Sequence, residues 1–388
     1  MNAATLRTVT VLQPCRLVFG SGSLNDACEY LAAIRQMRVH IVTSPSLSGH
    51  AENIAARLQA AGKFVTIDSS VAKEPTVSVF EIASGKARAA NADCVLGLGG
   101  GSALDLAKLV AAFVRSTQSI TESFGIGLLN GRDCHLVCMP TTSGTGSEVS
   151  PNAILLDEAE ALKKGVISEF LVPDAAFIDP ELSCNVPAHV TAFTGLDALT
   201  HCIEAYTNKF AHPLVDTYAL RGIELCGRHL ASAVADGTNL EAREGMALAS
   251  LNGGLCLGPV NTAAVHALAY PLGSEFLVPH GLSNAVLLPA VFRFNAAASP
   301  ARHAEVARAL GAARMGSDLE TAYAGVRLLQ ELLLTCRLSA DLSSYGVTRK
   351  SIPGMAAAAM TVHRLLKNNP RELTQPDAEQ IYEEALFG

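Results

Sequence analysis

The chain has no surplus of positive charge. Its 29 Lys and Arg stand against 36 Asp and Glu, a net charge of −7, so the electrostatic footprint for nucleic acid or an anionic membrane is missing. A C-x-x-C pair is absent too. The ten cysteines are scattered from Cys15 to Cys336 without the dense spacing of a disulfide scaffold, which reads as reduced thiols in a cytoplasmic protein. The stretch "MNAATLRTVTVLQP" has neither the continuous apolar core nor the small-residue cleavage site of an export signal. Nor does the sequence contain an internal repeat or a low-complexity linker. Finally, no Lys, Arg, Asp or Glu occurs in the thirty residues from Gly245 to Ser274, a length that could cross a bilayer. Asn252, Gly253, Gly254, Pro259, Asn261 and His266 interrupt that run. Lipid would serve those positions badly, so buried helices beside a polar site are expected instead.

What is present divides into two textures. A length of 388 residues favours two domains. In the first half, short β-branched runs ("CRLVFG", "RVHIVT", "KFVTID", "DCVLGL") alternate with helical patterns, and "HLVCMP" and "AILLD" follow. Such alternation predicts crossover units and a mostly parallel sheet with helices on both faces, a Rossmann-like α/β domain. After Pro187, Ala- and Leu-rich helical patterns continue almost without strand signals. The expected division is an α/β domain over 1–183, whose strand ends suit a nucleotide, and an all-α domain over 184–388.

Two turns carry polar chemistry. "DCVLGLGGGSALDLAK" runs a buried strand into Gly99, Gly100, Gly101 and Ser102 and then into a helix starting near Ala103. Glycines let backbone approach a phosphate, and free N–H groups with the helix dipole attract it, although glycine clusters after strands also serve as plain tight turns. "MPTTSGTGSEVS" follows the next core strand with hydroxyls that could hold a ribose or nicotinamide, or cap a helix beginning near Glu148. Turns at the ends of two sheet strands would line one crevice.

The helical half offers histidines. In "GLDALTHCIEAY", Asp197 and His201 are four apart and share a helix face. In "HALAYPLGSEFLVPHG", His266 opens a helical segment and His280 follows Pro279. Each histidine taken singly reads as a satisfied core or surface residue. A divalent metal needs three or four N and O donors from separate elements, and on the residues alone Asp197 with these histidines leaves a metal site and the plain reading both open. Cys202 and Cys256 are candidates for a catalytic thiol, but no base is evident beside either.

"GGGSALDLAK", "PTTSGTGSEVS", "KKGVISEFLVPDAAFIDPEL", "TGLDALTHCIEAY" and "HALAYPLGSEFLVPHGLSNAVLLP" occur in one order between Gly99 and Pro289, within a resemblance that extends over residues 15 to 385. In that order and spacing the chain resembles the iron-containing (group III) alcohol dehydrogenases, whose fold is similar to that of dehydroquinate synthase and glycerol dehydrogenase. The resemblance implies Asp197, His201, His266 and His280 as ligands of Fe²⁺ or Zn²⁺. It implies Gly99, Gly100, Ser102, Asp105, Thr141, Thr142, Thr145, Asn152 and Lys164 as cofactor-site residues. The implied reaction is hydride transfer between nicotinamide C4 and a small alcohol or aldehyde held at the metal, in a homodimer or higher assembly.

Two positions depart from that family. Many members carry a histidine suspected of relaying protons where this chain has Tyr270; the hydroxyacid-oxoacid transhydrogenase branch is similar to this chain in carrying Tyr there, which makes a hydroxy acid a candidate substrate. A phenol can relay a proton through water or simply close the site. Ser44 stands where NAD-preferring members carry an Asp that repels a 2′-phosphate, so NADP joins NAD as a candidate cofactor. Maleylacetate-reductase-like, transhydrogenase-like and dehydroquinate-synthase-like enzymes are the competing readings on this fold, with a non-catalytic binding protein behind them.

Overall fold

The computed structural model describes residues 6–388 apart from Lys73 and Ala161. The first five residues of the stretch weighed as an export signal lie outside the described residues. By internal contacts the chain forms two units. One comprises Leu12–Thr142 and Gly146–Asn185; the other comprises Val186–Gly388 together with Ser143–Thr145 and residues 6–11.

The first unit alternates strand and helix. Its opening elements are β1 (Arg16–Phe19), α1 (Ser23–Ala33), β2 (Arg38–Thr43), α2 (Ser48–Ala60), β3 (Phe64–Asp68) and α3 (Val77–Ala89). There follow β4 (Cys94–Gly99), α4 (Gly101–Phe113), the single turn α5 (Ile120–Ser123), β5 (Gly125–Ile126) and β6 (His135–Pro140). The unit closes with β7 (Asn152–Asp157), β8 (Leu162–Ile167) and β9 (Ala175–Ile178). Six strands make one sheet in the order β1-β9-β6-β4-β2-β3, and every pairing in it is parallel.

Period-2 alternation explains its two cores. On β4 and β6, Cys94, Leu96, Leu98, Val137 and Met139 pack with α1 and α2, whereas Val95, Leu136 and Cys138 pack with α3 and α4. Buried on both faces, the strands read as near-continuous apolar runs. "AILLD" does not join that sheet. It forms β7 of a second, three-stranded sheet ordered β5-β8-β7, antiparallel to β8.

The second unit is helical: α6 (Ala188–Thr207), α7 (Pro213–Ala235), α8 (Leu240–Leu257), α9 (Ala264–Phe276) and α10 (His280–Ala296) come first. Then come α11 (Pro300–Ala309), α12 (Asp318–Thr335), α13 (Ile352–Met360), the one-turn α14 (His363–Leu366) and α15 (Gln375–Phe387). Helix α6 is its central element, buried continuously from Gly195 to Thr207. The charge-free run of the sequence becomes the end of α8, a break near Pro259, and α9; among the described residues no helix is long and apolar enough to cross a membrane.

Candidate active site

Helical periodicity places the first pair of side chains. Asp197 and His201, one turn apart on α6, project from the same face. His266 reaches that face from the first turn of α9, and His280 is the first residue of α10. Gly281 makes the approach of α10 possible, because a Cβ there would lie 2.4 Å from the Phe193 carbonyl oxygen of α6.

Donor atoms of Asp197, His201 and His266 all lie within 4.8 Å of one another. His280 joins from the rim, its Nε2 3.8 Å from Asp197 Oδ1. The His201 and His266 rings stack at 4.7 Å, and the His280 ring is 5.3 Å from that of His266. Asp197, His201 and His266 are buried, whereas the His280 side chain is 31 % exposed, so the group is open on the His280 side alone.

Two further residues fix the rings, and sequence reading passed over both. Glu204, one turn beyond His201 on α6, holds His266 Nδ1 at 2.6 Å with one oxygen and accepts the Val265 amide at 2.6 Å with the other. The imidazole thereby donates from Nδ1 and turns the lone pair of Nε2 toward Asp197, the carboxylate–histidine arrangement that tunes metal ligands. Its signal was present: Asp197, His201 and Glu204 fall on one face at i, i+4 and i+7. Asn284, one turn into α10, donates through Nδ2 to Asp197 Oδ1 at 2.7 Å, with His266 Nε2 and His280 Nε2 at 3.1 and 3.3 Å. His201 Nδ1 lies 3.3 Å from the Gly144 carbonyl.

Electrostatics suit a cation. Burial opposes ionisation of Asp197, but His201, His280, His266 and the Asn284 bond together hold its carboxyl below the ordinary value. Desolvation pushes His201 down, keeping it neutral. One amide NH₂ thus serves a carboxylate and two imidazole nitrogens, and Asn284 Oδ1 is buried without a hydrogen-bond partner among the described residues. Converging acceptors with so few N–H donors among them fit a divalent metal, and neutral nitrogens with one carboxylate match iron or zinc.

The turns of the α/β unit share one sheet edge. The chain leaves β2 for β3 on one side and resumes at β4 to continue through β6 on the other. The crevice where strand order reverses is the usual dinucleotide site. Ser44 follows β2, Gly99 ends β4 and Gly100 leads into α4, which opens with Gly101 and Ser102, and Thr141 and Thr142 follow β6. Thr43 pairs with Leu98 and Gly99 with Pro140, which puts these turns next to one another. A Cβ on Gly100 would meet Thr142 Oγ1 at 3.1 Å, and one on Gly99, at φ +155°, would meet the Ala103 Cβ at 2.7 Å. Glycine is required at Gly99, and at Gly100 a side chain would have to displace the Thr142 hydroxyl.

Other candidates sit elsewhere. Asp105 turns its carboxylate to the Ser147 hydroxyl (2.5 Å) and the Ile154 amide (2.9 Å). Lys108 is fully buried and donates to Ser147 Oγ, Ser150 Oγ and the Asn152 carbonyl. Those bonds hold the chain after Gly146 in turns and bends, so no helix begins near Glu148. Asn152 and Lys164 stand on β7 and β8, with the Lys164 ammonium 2.8 Å from both Asp157 and Glu160. Thr145 groups with the helical unit.

Tyr270 lies one turn beyond His266 on α9. Its ring is 6.4 Å from that of His280, and its hydroxyl accepts from Arg364 Nη2 at 3.4 Å. The cysteine candidates do not survive, since burial pushes the Cys202 thiol up to about 12 and that of Cys256 well above its ordinary value. Neither forms the thiolate that nucleophilic attack requires.

Comparison with known proteins gives concordant matches. Residues 14–180 match the family described as iron-containing alcohol dehydrogenase, and residues 191–386 match the Fe-containing alcohol dehydrogenase family, C-terminal. Long-chain-alcohol dehydrogenase 1 of Geobacillus thermodenitrificans is 36 % identical over 95 % of this chain and 94 % of its own. A solved 1,3-propanediol oxidoreductase superposes with a TM-score of 0.92 at 32 % identity, covering 98 % of this chain and 100 % of that one. The sulfoacetaldehyde reductase of Bifidobacterium kashiwanohense, solved in complex with NAD⁺, superposes with a TM-score of 0.87 at 28 % identity over 98 % of this chain and 99 % of that one.

Proposed function

The chain belongs to the iron-containing alcohol dehydrogenase family and is an oxidoreductase acting on CH–OH donors; from that premise we propose that Asp197, His201, His266 and His280 hold one divalent iron at which a small alcohol or aldehyde reacts with NAD. The observation that carries the reading is the convergence of one carboxylate and three imidazoles, with Glu204 fixing the tautomer of one of them. When bound, the metal supplies Lewis acidity toward an alcohol or carbonyl oxygen, and the nicotinamide supplies or accepts hydride.

The chain's own residues do the rest. Asp197 contributes the negative charge that keeps a cation in a buried place, and His201, kept neutral by desolvation, offers a lone pair without competing for that charge. The apolar residues of α9, with Ala267, Leu268 and Ala269 buried, exclude water and strengthen every charge interaction beside them. Tyr270 is assigned the proton relay: its phenol, on a ring 6.4 Å from that of His280, passes a proton between the reacting oxygen and water.

Ser44, Gly99, Gly100, Ser102, Thr141, Thr142 and Thr145 are assigned to the dinucleotide, with Asp105 and Asn152 shaping the turn and Lys164 as the cation of that set. Ser44 brings no carboxylate to the adenosine ribose, so NADP is accepted beside NAD.

The test is metal content with turnover. Dialysis against chelator, then reconstitution with iron or zinc, is expected to return about one metal per chain and restore the net change in nicotinamide absorbance. His280→Ala is expected to lower turnover by at least about 10³-fold, since metal polarisation contributes several kcal/mol. Full activity in a metal-free preparation overturns the proposal.

A further inference from the structure

Charge is scarce around Tyr270. The sequence supplies none from Gly245 to Ser274, so apart from Glu275 near the end of α9 an ionic group beside that phenol has to arrive from another element. One does. Arg364, on α14, extends Nη2 to the Tyr270 hydroxyl at 3.4 Å. Tyr270 in turn shares the His266 face of α9, with its ring 6.4 Å from that of His280, the open side of the donor cluster.

Among the described residues the arginines of this unit divide into those that pair with a carboxylate and those, Arg364, Arg327 and Arg337 among them, that do not. Arg293, Arg302 and Arg349 of the same unit each hold a carboxylate, that of Glu384, Asp216 or Glu383. Arg364 is only partly exposed, and among the described residues no carboxylate pairs with it. A guanidinium carries five N–H donors in a rigid fork, and a phenol oxygen engages only one of them. The turn that carries it is also anchored. Leu365 is buried beneath it, Asn368 donates to the Thr262 carbonyl and accepts from the Lys209 amide, and Asn369 exchanges bonds with Asn295. A cation on an anchored turn, without a carboxylate partner among the described residues and beside the candidate reaction centre, suits an anion from solution.

We infer that Arg364 is a specificity-determining residue that receives the anionic end of the substrate, so that the substrate is a short hydroxy acid or its oxo counterpart whose other end meets the His280 side of the cluster. Tyr270, between the two, sets the separation of the reacting oxygen from the anionic group. Neutral alcohols of equal length leave the guanidinium without its partner. This rests on the oxidoreductase reading given above for the reaction itself. The shared chemistry of the anion is that of a carboxylate or sulfonate, both of which accept two parallel N–H bonds.

The experiment uses the iron-reconstituted enzyme with NADH. Glyoxylate and succinic semialdehyde are each compared with their methyl esters, in the parent and in Arg364→Met and Arg364→Lys. The parent is expected to favour at least one acid over its ester. Arg364→Met is expected to lower that acid-over-ester ratio of kcat/KM by about 10–100-fold, chiefly through KM, as loss of a charge-assisted bond should. Arg364→Lys is expected to recover part of the ratio.

Calorimetry of butyrate, propanesulfonate and butyramide binding to the enzyme–NADH complex gives a readout independent of turnover. An anion preference that Arg364→Met abolishes supports the inference, and the tighter anion identifies the head group. An acid-over-ester ratio unmoved by Arg364→Met, or equal binding of butyrate and butyramide, overturns it. Arg364-dependent anion binding without turnover of any carbonyl sinks the assigned reaction and leaves the anion site standing.

Discussion

Both units bury ionisable clusters, and they do so for opposite ends. Under the α/β unit's second turn, Lys108 directs its ammonium at Ser147, Ser150 and the Asn152 carbonyl, while Asp105 receives Ser147 and the Ile154 amide. Donors there meet acceptors, and the network is closed on itself. In the helical unit, Asp197 and the imidazoles of His201, His266 and His280 turn acceptors toward acceptors, with the Asn284 amide among them. A closed network fixes a backbone; converging acceptors await a cation. His303, in the same helical unit, makes the contrast local: it bonds to Ser299 of its own turn and packs edge-on against Phe292. It is a satisfied core histidine.

The comparison is broken most forcefully at Lys108. Lys108→Met keeps the aliphatic stem but leaves Asp105 and the serine hydroxyls without their cation, and should cost about 3–5 kcal/mol of stability. Urea unfolding measures that loss, and iron content per folded chain should stay unchanged. A fall in iron content at unchanged stability would contradict the structural role given to Lys108.

Glu204→Gln acts on the other cluster. With the carboxylate gone from His266 Nδ1, metal affinity should fall by about 10–100-fold, read by competition with a chelator. Unaltered affinity would detach Glu204 from the metal.

His303 provides the smallest effect. Burial depresses it from 6.5 to about 4, so the unfolded chain binds its proton first. Its contribution to stability is complete above the unfolded value and is lost as pH falls from about 6.5 toward 4. Between pH 7 and pH 5 the loss is about 2 kcal/mol. His303→Gln should flatten that slope relative to the parent in urea titrations at the two pH values, and parallel slopes would refute the assignment.

Much of this was legible early because it is local. The apolar runs of β2, β4 and β6 and the glycines after β4 are visible within short windows, as is the four-residue step from Asp197 to His201. Helix α13 was not, since "IPGMAAAAM" opens with proline and glycine and its alanines carry no amphipathic period. The fate of "AILLD" was equally hidden, because its pattern is that of a strand and nothing in it names the partner it will find.

The sequence by itself determined which residue types were on offer: paired donors on one helix, two histidines in an apolar frame with Glu275 as its one charge, and glycine where backbone must pass closely. The tertiary structure alone decided the partners. It set β9 between β1 and β6, put Glu204 behind His266, and brought Arg364 to Tyr270 across 94 positions of chain. Periodicity is written over a few residues by backbone geometry, but which surfaces meet is settled by packing, a property of the whole chain that no short window contains.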